Sequence, residues 1–190
     1  MIYIGLSERI MIDAVSLSRR SFLSGTFSSP VVELQPPWAL PQPLFEQTCT
    51  RCDACITACP SRIVRRGAGG FPSIDFLQGT GVCTFCGDCA AACLPLALRR
   101  DADKPPWQPP WQPPWQLKAD LGASCLAQRD VVCRSCGDAC GEAAIRFRPQ
   151  LGGTARPELD AARCTGCGAC VGVCPVAAIK VTQPQDISRS

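Results

Sequence analysis

The stretch Cys49-Thr50-Arg51-Cys52-Asp53-Ala54-Cys55-Ile56-Thr57-Ala58-Cys59-Pro60 sets four cysteines at the spacing C-x-x-C-x-x-C-x-x-x-C. An iron-sulfur cube presents four iron corners to four thiolates. A loop with a cysteine at every third residue can turn around the cube and fill three of them; the fourth thiolate comes from elsewhere. The same spacing returns at Cys83, Cys86, Cys89 and Cys93, and again at Cys164, Cys167, Cys170 and Cys174. Cys125, Cys133, Cys136 and Cys140 form a relaxed version with seven residues in the first gap. Cys59 and Cys83 are 24 positions apart, and so are Cys140 and Cys164, which identifies an internal duplication of a two-run unit.

In two-cluster ferredoxins the fourth cysteine of each run ligates the other cluster. The expected ligand sets are therefore crossed. In the first half they are Cys49, Cys52 and Cys55 with Cys93, and Cys83, Cys86 and Cys89 with Cys59. In the second they are Cys164, Cys167 and Cys170 with Cys140, and Cys125, Cys133 and Cys136 with Cys174. The long gap permits ligation if residues 126 to 132 form a loop over the cluster; otherwise it marks a lost or labile site. Three or four [4Fe-4S] clusters are expected. Zinc sites also begin with C-x-x-C, but they pair two separated knuckles, so triplets favour iron and sulfide. Pro60 and Pro175 follow the fourth cysteines of their runs, as the ferredoxin pattern has it, whereas Cys93 and Cys140 lack that proline.

Composition supports metal over disulfides. Sixteen cysteines among 190 residues is a density that means one or the other, and disulfide frameworks scatter their cysteines where these recur in register. The absence of histidine excludes a c-type haem motif and a Rieske centre. It also removes the commonest general acid or base at neutral pH, which argues for a carrier over an enzyme. The formal charge is +3. Four clusters, at about −2 each with their thiolates, would bring it to roughly −5. No basic patch interleaved with aromatics appears, so nucleic acid is not an expected partner.

No run approaches the length of a membrane-spanning segment. Ser18-Arg19-Arg20-Ser21-Phe22-Leu23 resembles a twin-arginine signal, but Ser24-Gly25-Thr26-Phe27-Ser28-Ser29-Pro30 is too polar for the apolar region that must follow, so the pair reads as exposed arginines on an N-terminal helix. Translation could start at Met1 or Met11.

The expected class is α+β, with two tandem bacterial-ferredoxin-like 2[4Fe-4S] units of short strands and small helices, rich in loops. Aliphatic residues after each fourth cysteine, at Ile63-Val64, Leu96-Ala97-Leu98, Ala144-Ile145 and Ile179 to Val181, predict strands. Gly67-Ala68-Gly69-Gly70 and Gly152-Gly153 supply positive-φ turns. The expected division is an N-terminal extension over 1–44, a first unit over 45–100, a linker over 101–120, a second unit over 121–182 and a tail over 183–190. The linker carries Pro105-Pro106-Trp107-Gln108 and two further copies ending at Gln116, a composition for an extended polyproline spacer. A proline-rich recognition ligand anchored by its three tryptophans is the functional alternative.

The order of Ser18-Arg19-Arg20, Pro36-Pro37-Trp38, Cys49 to Cys55, Arg66-Gly67-Ala68-Gly69-Gly70, Cys125-Leu126-Ala127 and Cys133-Arg134 resembles the NapF family, from about Met11 to Val181. The resemblance implies a cytoplasmic ferredoxin-type accessory of periplasmic nitrate reductase. Its partner would be the catalytic subunit NapA, which it would supply with electrons or help to mature before export. The tryptophan repeat and the extra N-terminal residues depart from the family pattern. A standing electron-transfer subunit of a membrane-associated oxidoreductase is the alternative of another class, and a zinc-loaded structural adaptor a third. Arg19, Arg20 and Trp38 are either partner contacts or exposed surface without a role.

Overall fold

The structure is a computed structural model that describes residues 33–100 and 113–183, within a compact unit beginning at Glu33. The arginine pair at 19–20, Met11, the first two proline-tryptophan copies and the tail from 184 lie outside the described residues. Among the described residues no helix is long and apolar enough to cross a membrane.

Elements are short because the cysteine loops interrupt the chain every few residues. Helix α1 spans Gln42–Thr48 and buries Phe45. It is followed by α2 at Ala54–Ala58, β1 at Val64–Arg66, β2 at Pro72–Ile74 and α3 at Asp88–Ala91. Then come β3 at Lys118–Leu121, α4 at Ser135–Asp138, β4 at Ile145–Gln150, β5 at Gly153–Leu159, α5 at Ala169–Gly172 and β6 at Ile179–Thr182.

The second half holds two antiparallel pairs. β3 and β6 join its ends, from Lys118 opposite Thr182 to Leu121 opposite Ile179. β4 and β5 form a hairpin from Ile145 opposite Leu159, turning through Gly152 at φ +71°. The first half repeats the plan in reduced form. β1 and β2 pair Val64 with Ile74, and the turn between them uses Gly69 and Gly70 at φ +61° and +79°. In place of the long pair there is one bridge, Ala39 to Leu98. It is flanked by hydrogen bonds from Leu40 N–H to the Ala97 carbonyl at 3.0 Å and from Arg99 N–H to the Trp38 carbonyl at 2.8 Å.

The predicted strands after each fourth cysteine thus appear at Val64, Ile145 and 179–182, while Leu96-Ala97-Leu98 is reduced to that bridge. Of the turn glycines, Gly67 is extended at φ −96°. Its amide donates to the Phe71 carbonyl across the hairpin end. Residues 34–40, read from the sequence as extension, bridge to the first unit, with Leu34 opposite Ile74. Trp38 is half-buried against the first core, at φ +61°.

Residues 115–120, read as the end of the linker, include β3 and part of the core. Trp115, Leu117 and Ala119 are all buried, Leu117 at 1% exposure. Apolar side chains at alternate positions 115, 117 and 119 face inward, as the period of a strand requires. Trp115 and Leu117 join the core of the first half, against which Cys167 and Val171 of the second half also pack. The two halves therefore meet through a shared apolar contact.

Candidate iron-sulfur centres

Among the described residues, three partly open cavities are ringed by cysteines. One is lined by Cys49, Cys52, Cys55 and Cys93. A second is lined by Cys59, Cys83, Cys86 and Cys89. A third is lined by Cys140, Cys164, Cys167 and Cys170. In each, three cysteines come from one run and the fourth from the paired run. Among the described residues no three acidic or cysteine side chains close on one point as a single metal ion requires. The thiols stand around a volume instead, and four soft sulfur donors without histidine are a donor set that fits an iron-sulfur cube.

The local backbone explains how the loops open. Before the second cysteine of three runs stand Arg51, Phe85 and Gly166, and before the third stand Asp53, Gly87 and Gly168, all with φ between +54° and +88°. Each left-handed residue turns the chain about the cavity, so that consecutive cysteines line the same cavity. Where the residue is not glycine the conformation costs about 1 to 2 kcal/mol. Side-chain contacts hold the costly ones: Asp53 pairs with Arg66, and the Arg51 guanidinium lies 4.3 Å over the Phe71 ring.

Three residues beyond each fourth cysteine a further left-handed residue occurs, at Arg62, Leu96, Ala143 and Ala177, with φ of +54°, +62°, +48° and +47°. This turn returns the next amides toward the sulfur. Leu98 N–H donates to Cys93 Sγ at 3.3 Å, Ala144 N–H to Cys140 Sγ at 3.3 Å and Ala178 N–H to Cys174 Sγ at 3.2 Å. Ala119 N–H adds one to Cys164 Sγ at 3.5 Å. Such donors favour the more reduced, more negative state of a thiolate-bound centre and raise its potential. None of these four positions is signalled in the sequence, because arginine, leucine and alanine have no preference for positive φ.

The third cysteine of every run, Cys55, Cys89, Cys136 and Cys170, lies on a short helix and is buried. Burial pushes the thiols of Cys55 and Cys136 up to about 11 and those of Cys89 and Cys170 up to about 12. Neighbouring thiols add to the rise: Cys93 and Cys49 at Cys55; Cys83, Cys86 and Cys59 at Cys89; and Cys125 and Cys133 at Cys136. Such clustering is costly for bare thiolates and is relieved when iron replaces the protons.

The relaxed run differs in its loop. Residues 127–129 form a 3₁₀ turn, and Asp130 follows at φ +58°. Asp130 accepts a hydrogen bond from Thr154 Oγ1 at 3.4 Å and lies 3.9 Å from Arg156, which ties the insertion to β5. Arg134 stacks 5.2 Å over Phe147 of β4. The seven-residue gap is thus a structured loop fastened to the hairpin.

Family models described as 4Fe-4S dicluster domains match residues 47–98 and 131–178. Cys125 lies outside the second match. The ferredoxin-type protein NapF of Escherichia coli strain K12 is 42% identical over 165 residues, covering 87% of this chain and 94% of the relative. NapF of Haemophilus influenzae is 40% identical over 174 residues, covering 86% and 93%. The methylamine utilization ferredoxin-type protein MauM of Methylophilus methylotrophus is 32% identical over 159 residues, covering 74% and 66%. With two dicluster domains the chain is an iron-sulfur protein that holds [4Fe-4S] clusters and carries electrons. It belongs to the NapF family of ferredoxin-type proteins.

Proposed function

We propose that the chain holds four [4Fe-4S] clusters in the crossed sets and serves as a cytoplasmic electron-transfer accessory that assists maturation of the nitrate reductase catalytic subunit NapA before its export. The observation that carries the electron-transfer part is the three cavities, each ringed by three cysteines of one run and one of its partner. The fourth set, Cys125, Cys133, Cys136 and Cys174, is supported by the pinned 126–132 loop. It is supported too by the left-handed turn after Cys174, the same turn that follows Cys59, Cys93 and Cys140.

When bound, a cluster accepts and returns one electron with little rearrangement. The chain's own residues do the rest. The thiols of each set would hold the iron, the amides of Ala119, Leu98, Ala144 and Ala178 donate to the sulfurs of Cys164, Cys93, Cys140 and Cys174 and would favour the reduced state, and the third cysteine of each run is buried. The NapA role rests on family membership, and NapA as a molybdenum enzyme with its own cluster is an acceptor of suitable chemistry.

The similarity to MauM, a ferredoxin-type protein of methylamine utilization, supports service to a redox system other than nitrate reductase, and a second reading makes the chain a standing subunit of a membrane-associated oxidoreductase. Anaerobic affinity purification of the tagged chain from cells making NapA separates the two. The proposal expects substoichiometric capture of the NapA precursor from the cytoplasmic fraction, lost when NapA is supplied without its signal peptide. Fixed stoichiometric recovery with a membrane-bound oxidoreductase would contradict it.

A further inference from the structure

The cysteine sets touch in a definite order. Cys55 and Cys59, which line the first and second cavities, lie four residues apart along α2 and its C-terminal cap. In the second half Cys136 on α4 and Cys170 on α5 are buried in one core cluster, with Cys140 and Cys174 packed against it, so the fourth and third sets are neighbours.

Between the halves the contact is closer than a linker would require. Cys83 N–H donates to the Cys167 carbonyl at 2.8 Å, and these two cysteines line the second and third cavities respectively. Trp115 closes the same junction. Its ring meets Phe85 edge-on at 5.5 Å and Phe76 at 6.2 Å, while its indole N–H donates to the Thr165 carbonyl at 2.8 Å. Phe85 lines the second cavity and Thr165 the third. Gly168, which also lines the third cavity, has no room for a side chain, because a Cβ there would stand 2.0 Å from the Phe76 ring. In the first set, Cys52 is the only exposed cysteine of the sixteen.

We infer that the four sets form one linear relay in the order first, second, third, fourth, with electrons crossing between the units at Cys83 and Cys167 and with the first and fourth sets as its two ends. The inference rests on the electron-transfer reading above. An electron passing along it leaves each set as it found it: one set loses what the next gains, no bond forms or breaks, and no proton moves. The outer donor is a reduced one-electron carrier, such as a flavin semiquinone or a second iron-sulfur protein, and the outer acceptor an oxidised one.

The test is low-temperature EPR of the full chain, dithionite-reduced, with microwave power saturation to read spin coupling between sets. In Cys164→Ala/Cys170→Ala, which empties the third set, the signal of the second set should saturate several-fold more easily. In Cys125→Ala/Cys133→Ala, which empties the fourth, it should be unchanged. Both variants should keep about twelve iron. A second-set signal that responds to loss of the fourth set, or to neither, overturns the relay. Should either variant fail to fold, pulsed dipolar spectroscopy of the unmutated chain decides: a coupling between the halves as strong as those within them supports the relay, and couplings confined to each half overturn it. An unmutated chain without reducible clusters would remove the electron-transfer reading itself, a different failure from four clusters that couple only within halves.

Discussion

At the residue scale, the crossed assignment makes a non-additive prediction. Cys59 and Cys83 line one cavity although they belong to different runs, whereas Cys52 and Cys59 share a run and line different ones. Cys59→Ala/Cys83→Ala should therefore lose no more iron than either single variant, about four per chain, while Cys52→Ala/Cys59→Ala should lose about eight. Iron analysis of anaerobically purified variants reads this directly, and the reverse pattern, about eight lost in Cys59→Ala/Cys83→Ala and about four in Cys52→Ala/Cys59→Ala, would show that the sets are not crossed. A second prediction concerns two left-handed glycines. Gly168→Ala drives a methyl into the Phe76 ring and should cost about 1 to 3 kcal/mol by overpacking in addition to backbone strain. Gly152→Ala meets nothing within 4 Å and should cost only the strain, about 1 kcal/mol. Urea midpoints of the two variants should differ in that order. The sequence displayed the cysteines and their recurring spacing, since spacing is a covalent fact. It did not display Arg62, Leu96, Ala143 and Ala177 as turn residues, because their left-handed backbone is imposed by the loop and not preferred by their side chains.

Elements follow the loops that they interrupt. The strands after Cys59, Cys140 and Cys174 were readable as aliphatic runs, and their partners were less so. β2 contains Pro72 and Ser73, and β5 contains Pro157 with charged neighbours, so neither carries an apolar signal of its own. Each is a strand because a glycine turn folds it back onto β1 or β4. β3 was hidden for another reason, since the proline-tryptophan composition runs on to Gln116 and masks the alternation of Trp115, Leu117 and Ala119. The insertion at 126–132 is the element on which the fourth set depends. Asp130→Gly keeps the left-handed backbone and removes the contacts to Thr154 and Arg156. It should change overall stability by less than about 1 kcal/mol, because those contacts are exposed. The prediction is faster loss of about a quarter of the iron on exposure to air, followed by absorbance and iron release. An unchanged rate would show that the tether does not protect the site.

At the scale of the whole molecule, the two halves are joined by packing as well as by chain. Trp115 and Leu117 lie in the core of the first half while β3 begins the second, so loss of the wedge should be felt by both. Trp115→Ala should destabilise the protein by about 3 to 5 kcal/mol, and Trp115→Phe by less because a ring remains against Phe76 and Phe85. Anaerobic denaturation of the parent chain should show one transition, and the alanine variant should separate it into two. The repeat at 24-residue steps gave the number of units at once, but a repeat says nothing of how its copies dock. That arrangement came from Cys83, Gly168 and Trp115, whose neighbours are far away in sequence. The central claim, that sixteen cysteines hold four clusters, is tested most directly by iron and acid-labile sulfide per chain after anaerobic purification, with EPR of the dithionite-reduced protein. The account predicts about sixteen of each and a reduced-cluster signal; about twelve with Cys125, Cys133 and Cys136 dispensable would contradict the fourth site, and zinc without a reduced-cluster signal would contradict the whole.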